Sequence, residues 1–399
     1  MEVKPGYKHT EVGIIPEDWD VVSLGEVCQM KSGEGITSAS IDKFSKYPCY
    51  GGNGLRGFTS RFTHNGKYAL IGRQGALCGN VLGVDGKFFA SEHAIVVTPA
   101  ARTDIRWLTY VLGKMRLNQF SESSAQPGLS VSKLLSLDLA YPPTKAEQEA
   151  IATVLSDVDA LIAALDALIA KKRLIKQGAM QELLNGKRRL PGFSGEWETI
   201  NMAEHSTLKA RIGWQGLTTA EYLSTGEYCL ITGTDFIDGK VDWERCHFVE
   251  NNRYDQDKNI QVRVGDVLIT KDGTIGKVAY IDHLPSEATL NSGVFVTRPK
   301  NNKYHPRYFY YVLSSRIFDD FLRQLQAGST INHLYQKDFV NFNFPAPEYE
   351  EQQAIAEILS DMDAEITALE QKRAKTRLLK QGMTQELLTG QIRLVHAPS

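Results

Sequence analysis

The sequence predicts an α+β protein in which two similar mixed α/β globular domains are joined by two long helices. These helices are expected to form an antiparallel coiled coil with pseudo-twofold symmetry. The first supporting observation is an internal repeat: residues 147–190 return as residues 351–394, and 27 of the 44 aligned positions are identical. The others are a helical spacing of apolar residues and a shared order of charges in both copies. An offset of 204 residues between copies is too long for a solenoid and indicates a domain plus a connector used twice.

Each copy of the repeat reads as one long helix. Its apolar residues step by four and three, as a coiled-coil seam requires. No proline falls between Glu147 and Gly186, and about 38 helical residues at 1.5 Å each give a rod of roughly 57 Å. The seam consists of Ile151, Leu155, Val158, Ile162, Leu165 and Ile169 in the first copy, and Ile355, Leu359, Met362, Ile366 and Leu369 in the second. A flank at steps of seven widens the apolar face and consists of Val154, Leu161, Leu168 and Ile175.

The charges predict how the two helices pair. Each copy is acidic first and basic later: Asp157, Asp159 and Asp166 precede Lys171, Lys172, Arg173 and Lys176, and Asp361, Asp363, Glu365 and Glu370 precede Lys372, Arg373, Lys375, Arg377 and Lys380. A parallel pair would place like charges together. An antiparallel pair places each acidic half beside the other helix's basic half, and each charge run also suits its own helix dipole.

Length and composition set the domain organisation. A chain of 399 residues is too long for one typical domain. The predicted order is a first globular domain (1–145), a first helix (146–190), a second globular domain (191–347), and a second helix with the C-terminal tail (348–399). The net charge of −2 is low for a protein that binds nucleic acid unaided, so such a role would need a local basic surface or a partner that supplies phosphate contacts.

The cysteine content predicts a reducing compartment. Five cysteines are an odd number, and they include no C-x-x-C pair. This favours free thiols in the cytoplasm over a disulfide frame or a zinc ribbon. The first twenty residues, polar and interrupted by Pro5 and Pro16, do not resemble a signal peptide. No run reaches the roughly eighteen apolar residues of a membrane helix, so we expect a cytoplasmic protein that makes no use of a membrane.

The two globular domains share a plan of short strands and one helix. In the first, residues 65–66 (Asn-Gly) and 85–86 (Asp-Gly) predict hairpin turns, and residues 105–120 predict a helix. The second domain repeats this plan with an Asp-Gly turn at 272–273 and a helix over 306–321. The loops differ far more between the domains than the long helices do. This divergence suggests two different ligands presented on one symmetric frame.

The sequence predicts neither a catalytic nor a metal site. The stretch 270–278 is not a phosphate loop, because Lys271 stands where a glycine is needed and no Ser or Thr follows Lys277. We expect a glycine turn between strands there. The nine histidines show no metal-ligand spacing; His93 and His333 are interpreted as polar loop or core groups. The Asn/Asp-Pro-Pro-aromatic motif of an amino-methyltransferase is absent from the sequence.

Basic and amide side chains in the glycine-rich loops are the candidate DNA contacts. Arg with Gln or Asn, mixed with aromatic residues, is the combination that reads base edges and binds phosphates. The alternative for each residue is an ordinary solvated loop charge. The candidates are Arg56, Arg61, Lys67, Arg73 and Gln74 in the first domain, and Lys209, Arg211, Gln215, Arg253, Lys258, Lys271 and Lys277 in the second. The accompanying aromatic residues are Tyr50, Phe58, Trp214 and Tyr254.

Two glycines inside the predicted helices are candidate partner-docking positions. Gly178 and Gly382 occupy the same place in the two copies, three residues before Gln181 and Gln385. A glycine inside a helix costs about 1 kcal/mol relative to alanine. Either the helix bends or ends there, or the backbone of another protein approaches closely.

Three motifs together resemble one family. They are I-P-E-D-W at 15–19, the E-Q-x-A-I-A…L-S-D-x-D segments that begin at 147 and 351, and the K-Q-G-x-x-Q-E-L-L-x-G-x-x-R-L tails that follow. The combination resembles the specificity subunits of type I restriction–modification systems, over the whole chain. The resemblance implies two target recognition domains, each reading one half of a split asymmetric DNA site. It also implies that the helices form an antiparallel spacer.

The same resemblance implies a non-catalytic subunit with several partners. Two methyltransferase subunits would dock on the helices, and two restriction/translocase subunits would complete the complex on double-stranded DNA. S-adenosylmethionine, ATP and magnesium would then belong to those partners, and this chain would hold no cofactor. No residue-level recognition code comes with the resemblance. Three alternatives stay open: the targeting subunit of another restriction–modification type, a coiled-coil scaffold that binds no DNA, and an enzyme with an unrecognised site.

Overall fold

The computed structural model of the chain describes residues 4–75, 77–121, 128–326 and 333–394. Two long helices, α4 (Lys145–Leu183) and α10 (Tyr349–Leu387), account for both copies of the sequence repeat. The chain divides into two compact units. Unit 1 is Met1–Ala167 with Glu370–Ser399, and unit 2 is Leu168–Leu369. Each unit therefore contains one globular domain and a segment of each long helix. The last five residues of the predicted C-terminal tail lie outside the described residues.

The globular part of unit 1 contains two four-stranded sheets and, in addition, two two-stranded sheets among the described residues. Its strands are β1 (Tyr7–Thr10), β2 (Gly13–Pro16), β3 (Asp20–Ser23), β4 (Cys28–Ser32), β5 (Tyr47–Gly51), β6 (Gly54–Thr59), β7 (His64–Asn65), β8 (Tyr68–Gly72), β9 (Val81–Val84), β10 (Lys87–Ala90), β11 (Ala94–Pro99) and β12 (Asp138–Tyr141). Its shorter helices are α1 (Leu24–Val27), α2 (Ile105–Lys114) and α3 (Val131–Leu135), with 3-10 turns at Ser38–Ser40 and Leu117–Phe120. One four-stranded sheet has the order β4-β11-β8-β9 and is antiparallel; the other has the order β6-β5-β10-β7, with β5 parallel to β10.

Unit 2 repeats this plan. Its strands are β13 (Glu198–Asn201), β14 (Ser206–Ala210), β15 (Tyr228–Ile231), β16 (Phe236–Ile237), β17 (Lys240–Val241), β18 (His247–Val249), β19 (Val267–Thr270), β20 (Val278–Tyr280), β21 (Ala288–Leu290), β22 (Val294–Pro299) and β23 (Asn343–Ala346). Its shorter helices are α5 (Met202–His205), α6 (Asn251–Asp255), α7 (Pro306–Leu313), α8 (Arg316–Gln326) and α9 (Gln336–Phe339), with 3-10 turns at Gly213–Gln215, Thr219–Glu221 and Gly233–Asp235. The sheets β14-β22-β19-β20 and β18-β15-β21 match those of unit 1, and β15 is parallel to β21.

The predicted helix of each globular domain forms where its start signals lie. Asp104 caps α2, because its carboxylate accepts hydrogen bonds from the backbone N–H groups of Arg106 and Trp107 at 2.9 Å. In unit 2, Pro306 is the first residue of α7, a position that needs no N–H donor. Both helix predictions need a correction. The helix over 105–120 ends with α2 at Lys114, before the 3-10 turn Leu117–Phe120, and the helix over 306–321 is divided into α7 and α8, which begins at Arg316.

Within each unit the two long helices run antiparallel, as predicted. In unit 1, Asp159 pairs with Lys380 at 2.6 Å and Asp166 pairs with Arg373 at 2.8 Å. Residue numbers therefore rise along α4 as they fall along α10. Unit 2 shows the same order, with Lys172 beside Glu365 at 2.6 Å and Lys176 beside Asp363 at 2.5 Å. These pairs are partly exposed, so they set direction more than they add stability.

The predicted seam is the buried face of both long helices. Ile151, Leu155, Leu165 and Ile169 are buried in the first copy, as are Ile355, Leu359 and Ile366 in the second, while Val158, Ile162, Met362 and Leu369 are half-buried. The flank behaves differently. Leu161, Leu168 and Ile175 remain exposed, so these residues form an apolar surface strip rather than an extension of the core.

The helices end before the repeated stretches do. Gly186 and Gly390 adopt left-handed φ angles of +70° and +69° after the last helical turn, which glycine permits without a side-chain clash. The tail after each glycine then brings an arginine to the start of the other long helix. Arg393 forms a bidentate pair with Glu147, and Arg189 forms one with Glu351 at 2.8 and 2.6 Å.

Candidate nucleic-acid interface

Two of the predicted DNA contacts occupy equivalent positions in the two units. Arg73 follows β8 and its backbone N–H donates to the His93 carbonyl at 2.9 Å. Lys271 follows β19, the matching strand, and its N–H donates to the Gly293 carbonyl at 2.9 Å. The carbonyl of Arg73 itself accepts a hydrogen bond from the Leu129 N–H at 2.9 Å, and that of Lys271 accepts one from the Leu334 N–H at 2.8 Å. One scaffold position thus carries a half-buried basic side chain in both domains.

The residue after this position differs between the units. In unit 1 it is Gln74, whose backbone bridges to Gly128. In unit 2 it is Asp272, whose backbone bridges to His333 and whose carboxylate is hydrogen-bonded to the His333 ring. The two domains therefore present an amide in one case and an acid–imidazole pair in the other. That pair is the polar loop arrangement predicted for His333. His93 likewise sits beside Glu92 at 3.2 Å on the surface.

Three further candidates in unit 1 lie on the surface. Arg56 is exposed on β6. The Arg61 guanidinium lies 3.2 Å from the Glu34 carboxylate and 4.7 Å from the centre of the Phe89 ring. These contacts orient Arg61 while its side chain stays more than half exposed. Lys67 is also exposed, with its ammonium 4.0 Å from Asp85.

Three candidates in unit 2 are exposed as well. Lys209 lies on β14, Lys258 follows α6, and Lys277 lies immediately before β20. Lys277 ends the stretch predicted to be a glycine turn, and the structure confirms that turn between the antiparallel strands β19 and β20. Gly273 and Gly276 have φ angles of +67° and +82° within it.

Arg211 requires a correction. Its side chain is only 1% exposed, so in this structure it reaches no surface on which a phosphate could bind. Its guanidinium donates to the Leu290 carbonyl at 2.9 Å, to the Thr289 hydroxyl at 3.1 Å and to the Gln256 amide oxygen at 3.2 Å. Burial lowers the pKa of Arg211 below its usual value, and the neighbouring Arg253 lowers it further. Arg211 therefore has a structural role, because it links the end of β14 to β21 and to Gln256 in the interior of unit 2.

Two further candidates in unit 2, Arg253 and Gln215, are also largely covered. The Arg253 guanidinium bonds the Glu221 carboxylate at 2.7 Å and the Gln256 amide oxygen at 2.9 Å, leaving the side chain largely covered. Gln215 is buried, at 6% exposed, and its amide oxygen has no hydrogen-bond partner among the described residues. These positions argue against the predicted direct contacts by Arg253 and Gln215. Trp214, between Arg211 and Gln215 in the chain, is instead 77% exposed.

The accompanying aromatic residues mostly pack inside. Tyr50 meets Phe88 edge-on with ring centres 5.9 Å apart, and Tyr254 stacks on Tyr228 at 4.5 Å. Phe58 is half-buried on β6. Sequence reasoning missed Phe44, which is 93% exposed. The signal was present: Asp42 two residues before it and Ser45 after it are the residues of an Asx turn.

Both candidate docking glycines lie in open helix surface. An added Cβ at Gly178 or at Gly382 would meet nothing within 4 Å, and both helices continue beyond these positions. The possibility of a helix end is therefore wrong, and the chain's own packing does not require glycine. Gln181 and Gln385, one turn further on, are also exposed.

An exposed apolar residue precedes each of these glycines by one turn. Leu174 precedes Gly178 and Leu378 precedes Gly382, and both leucines are among the most exposed apolar residues of the chain. Residues four and seven apart share one face of a helix, so each copy presents a strip of Leu, Gly and Gln. The second strip, Leu378–Gly382–Gln385, lines a cleft of about 1360 Å³ inside unit 1.

The cleft in unit 1 is predominantly basic. The described side chains that line it include Lys67, Arg106, Lys114, Arg116, Arg377 and Lys380, against Asp85 and Asp159. Burial holds the pKa of Lys114 below its usual value. A polypeptide segment with apolar and acidic side chains would complement this lining.

Among the described residues, no group of three or more His, Cys, Asp and Glu side chains is placed to hold a metal ion. All five cysteines are described, buried and unpaired by disulfides. No described helix is both long and apolar enough to cross a membrane.

Comparison with known proteins supports the resemblance noted in the sequence. Residues 16–171 and 219–378 match the family described as "Type I restriction modification DNA specificity domain". The chain belongs to this family of type I restriction–modification specificity subunits. It is 44% identical to the Type I restriction enzyme EcoprrI specificity subunit of Escherichia coli over 143 residues, which cover 35% of each chain. It is 23% identical to the MjaVIII specificity subunit of Methanocaldococcus jannaschii over 95% of this chain and 94% of that one.

The fold is shared with a solved structure. The crystal structure of the S subunit of the type I system from M. genitalium superposes with a TM-score of 0.68 at 16% identity, covering 97% of this chain and 98% of that one. The predicted fold class is thereby confirmed.

Proposed function

We propose that this chain selects the DNA sequence for a type I restriction–modification complex, with each globular domain reading one half of a bipartite asymmetric site. The observation that carries the proposal is the equivalence of Arg73–Gln74 and Lys271–Asp272 on matching strands. Arginine with an amide favours one pattern of base-edge donors and acceptors, whereas lysine beside an acid favours another. Two copies of one scaffold with different side chains at the same place suit two different half-sites.

The long helices are proposed to set the number of unread base pairs between the half-sites. Two readers on one duplex contact the same groove about one turn apart, roughly 34 Å centre to centre. Each helix has 39 residues, or about 58 Å at 1.5 Å per residue. Removing the same whole number of turns from both helices should shorten the unread spacer in the recognised site. An unchanged spacer would refute this ruler role.

The duplicated strips on the helices are proposed to dock two methyltransferase subunits. Leu174–Gly178–Gln181 and Leu378–Gly382–Gln385 present the same side chains in the same order, so each strip suits one copy of the same partner. Their glycines allow a partner backbone to approach closely. In this proposal the partners carry methylation, and two restriction/translocase subunits carry cleavage. S-adenosylmethionine, ATP and magnesium would be bound by those partners, and this chain would act without catalysis.

Docking can be tested by replacing both glycines with leucine. Leucine improves helix propensity by about 0.8 kcal/mol over glycine, so the variant helices should not unfold. Loss of co-purification with the methyltransferase is expected. Leu161→Ala serves as control, because Leu161 is an exposed apolar residue that belongs to neither of the two Leu–Gly–Gln strips. Undiminished binding by the double glycine variant would remove the docking proposal.

Long-read methylation mapping tests the DNA-reading role itself. A methylation-free host would carry this chain together with the methyltransferase encoded beside it. A split motif with a fixed spacer and adenine methylation on both strands is the expected result. If the two proteins co-purify and no motif appears, the chain is a scaffold rather than a DNA reader.

A further inference from the structure

Among the described residues of unit 1, Phe44 is the most exposed large apolar side chain, and its backbone is nevertheless held in place. The Asp42 carboxylate accepts hydrogen bonds from the backbone N–H of Phe44 at 2.7 Å, from that of Ser45 at 2.6 Å and from the Ser45 hydroxyl at 2.6 Å. The hydroxyl and the two N–H groups lower the pKa of Asp42, so the carboxylate stays charged and the turn persists at neutral pH. The backbone of Asp42 is also bonded in both directions to Phe58 on β6, at 2.9 and 2.8 Å.

The surroundings of Phe44 are cationic and aromatic. Lys43 and Lys46 flank it in the chain, and both are exposed. The Lys46 ammonium lies 5.5 Å from the centre of the Tyr47 ring, which meets Phe62 edge-on at 5.1 Å. Alternation of lysines with exposed rings is the composition that binds phosphates and bases together.

In unit 2, Trp214 is likewise an exposed ring on a backbone turn that is held by hydrogen bonds. It stands in the 3-10 turn Gly213–Gln215, between the buried side chains of Arg211 and Gln215. Arg211 directly follows β14, and its guanidinium donates hydrogen bonds to Leu290 and Thr289 on β21. These bonds anchor one end of the turn. The Gln215 N–H closes the turn on the Ile212 carbonyl at 2.9 Å. Because Arg211 and Gln215 are buried on either side of it, the Trp214 indole is kept exposed to solvent.

The two rings occupy the same connection of the repeated domain. Phe44 lies between β4 and β5, and Trp214 lies between β14 and β15, the matching strands of unit 2. Their exact places within that connection differ, as do the rings themselves. This combination of a shared location and a different side chain parallels the Arg73 and Lys271 positions.

We infer that Phe44 and Trp214 are DNA-contacting side chains, each packing its ring against bases of the half-site that its own domain reads. The inference rests on the proposed function and adds the residues that supply apolar base contact. Phenyl and indole rings contact thymine methyl groups or wedge between base steps. Lys43 and Lys46 bind the adjoining phosphates. A protein surface is a poorer occupant, because burying both lysines against it would require acidic partners for each.

The test uses the full-length chain in complex with its methyltransferase and a duplex that carries the mapped site. Phe44→Ala and Trp214→Ala are each expected to weaken binding roughly 5- to 150-fold, the range that disturbing one base pair of a specific duplex site produces. Methylation mapping should show relaxed sequence preference in one half of the motif for Phe44→Ala and in the other half for Trp214→Ala. Matched controls are Ile14→Ala in unit 1 and Val264→Ala in unit 2, which alter exposed apolar residues elsewhere.

Two additional variants separate the roles of the ring and the charges. Phe44→Trp keeps a ring and should retain most binding; if it binds as weakly as Phe44→Ala, ring contact is not the cause and the inference fails. Lys43→Gln and Lys46→Gln should each lower the slope of log K against log salt by about one. Lys133→Gln, an exposed lysine on α3, should leave binding to the mapped site unchanged.

The outcomes also separate this inference from the proposed function. If the wild-type complex yields no split motif, DNA reading itself is wrong and the inference falls with it. If the wild-type motif is intact and both alanine variants bind within twofold of it with unaltered motifs, only the assignment of Phe44 and Trp214 is overturned. If Phe44→Ala instead reduces co-purification with the methyltransferase, the ring contacts protein, and the DNA assignment is likewise overturned.

Discussion

Replacing Arg393 with alanine should destabilise unit 1 strongly. The Arg393 guanidinium binds both oxygens of Glu147 at the start of α4 and both oxygens of Asp18 at 2.9 and 3.0 Å. It also lies over the Trp19 ring, 5.8 Å from its centre. These bonds raise the pKa of Arg393 despite its partial burial. The substitution removes every one of these interactions at once.

The magnitude follows from burial. The Glu147 side chain is only 1% exposed, and removing one partner of a buried pair costs about 3–5 kcal/mol, because the other charge is left without compensation. The cation–π contact adds about 0.5–1 kcal/mol. Asp18 is more exposed than Glu147, so its pair adds little. For a unit of roughly 200 residues, each kcal/mol lowers Tm by about 2–4 °C, so a total loss of about 3.5–6 kcal/mol gives a fall of roughly 7–24 °C.

Calorimetry with urea titration of the full-length chain would measure this loss. Arg189→Ala should produce a matching loss in unit 2, because Glu351 is fully buried in the equivalent pair. Arg188→Ala removes a largely exposed arginine and should stay within about 0.5 kcal/mol of wild type. The double variant Glu147→Gln, Arg393→Met leaves no buried charge and should lose less than Arg393→Ala alone. An Arg393→Ala variant within about 1 kcal/mol of wild type would refute the reasoning.

Three further predictions concern single side chains. Tyr110→Phe and Tyr311→Phe remove matching hydrogen bonds to the Asp159 and Asp363 carboxylates at 2.8 and 2.9 Å, and each should cost about 1.5–3 kcal/mol in urea unfolding; a loss in only one unit would contradict their equivalence. Burial raises the pKa of the Cys28 thiol to about 12, so iodoacetamide at pH 8 should label it only after unfolding, and mass spectrometry that finds labelled native protein would contradict this. The Arg393 guanidinium lowers the pKa of Asp18 below 3.8, so the stabilisation by Asp18 is present at neutral pH and is lost as pH falls through its folded pKa. The urea midpoints of wild type and Asp18→Asn should therefore differ at pH 7, and the difference should shrink as the pH is lowered below 3.8.

The long helices could be predicted almost completely from the sequence, whereas the DNA-facing surface could not. Helical spacing and charge order are local properties, so they fixed the seam and the antiparallel direction. The burial of Arg211 depends on its hydrogen bonds to Gln256, Thr289 and Leu290, which approach it only in the folded domain. A buried arginine and a surface arginine look alike in a loop sequence. Phe44 shows the converse, because exposure of a phenylalanine contradicts the usual expectation that it is buried.

The reciprocal arginine–glutamate pairs explain why the two helix copies are so alike while the loops differ. Arg393 of the second copy binds Glu147 of the first, and Arg189 of the first binds Glu351 of the second. Each copy must therefore fit the opposite copy's tail as well as its own domain. A substitution at one end of a pair leaves a buried charge unless its partner, 162 or 246 residues away, changes too. Among the described residues, Arg73, Lys271, Phe44 and Trp214 have no such reciprocal partner, so the two domains are free to carry different side chains there, as the proposed reading of two half-sites requires.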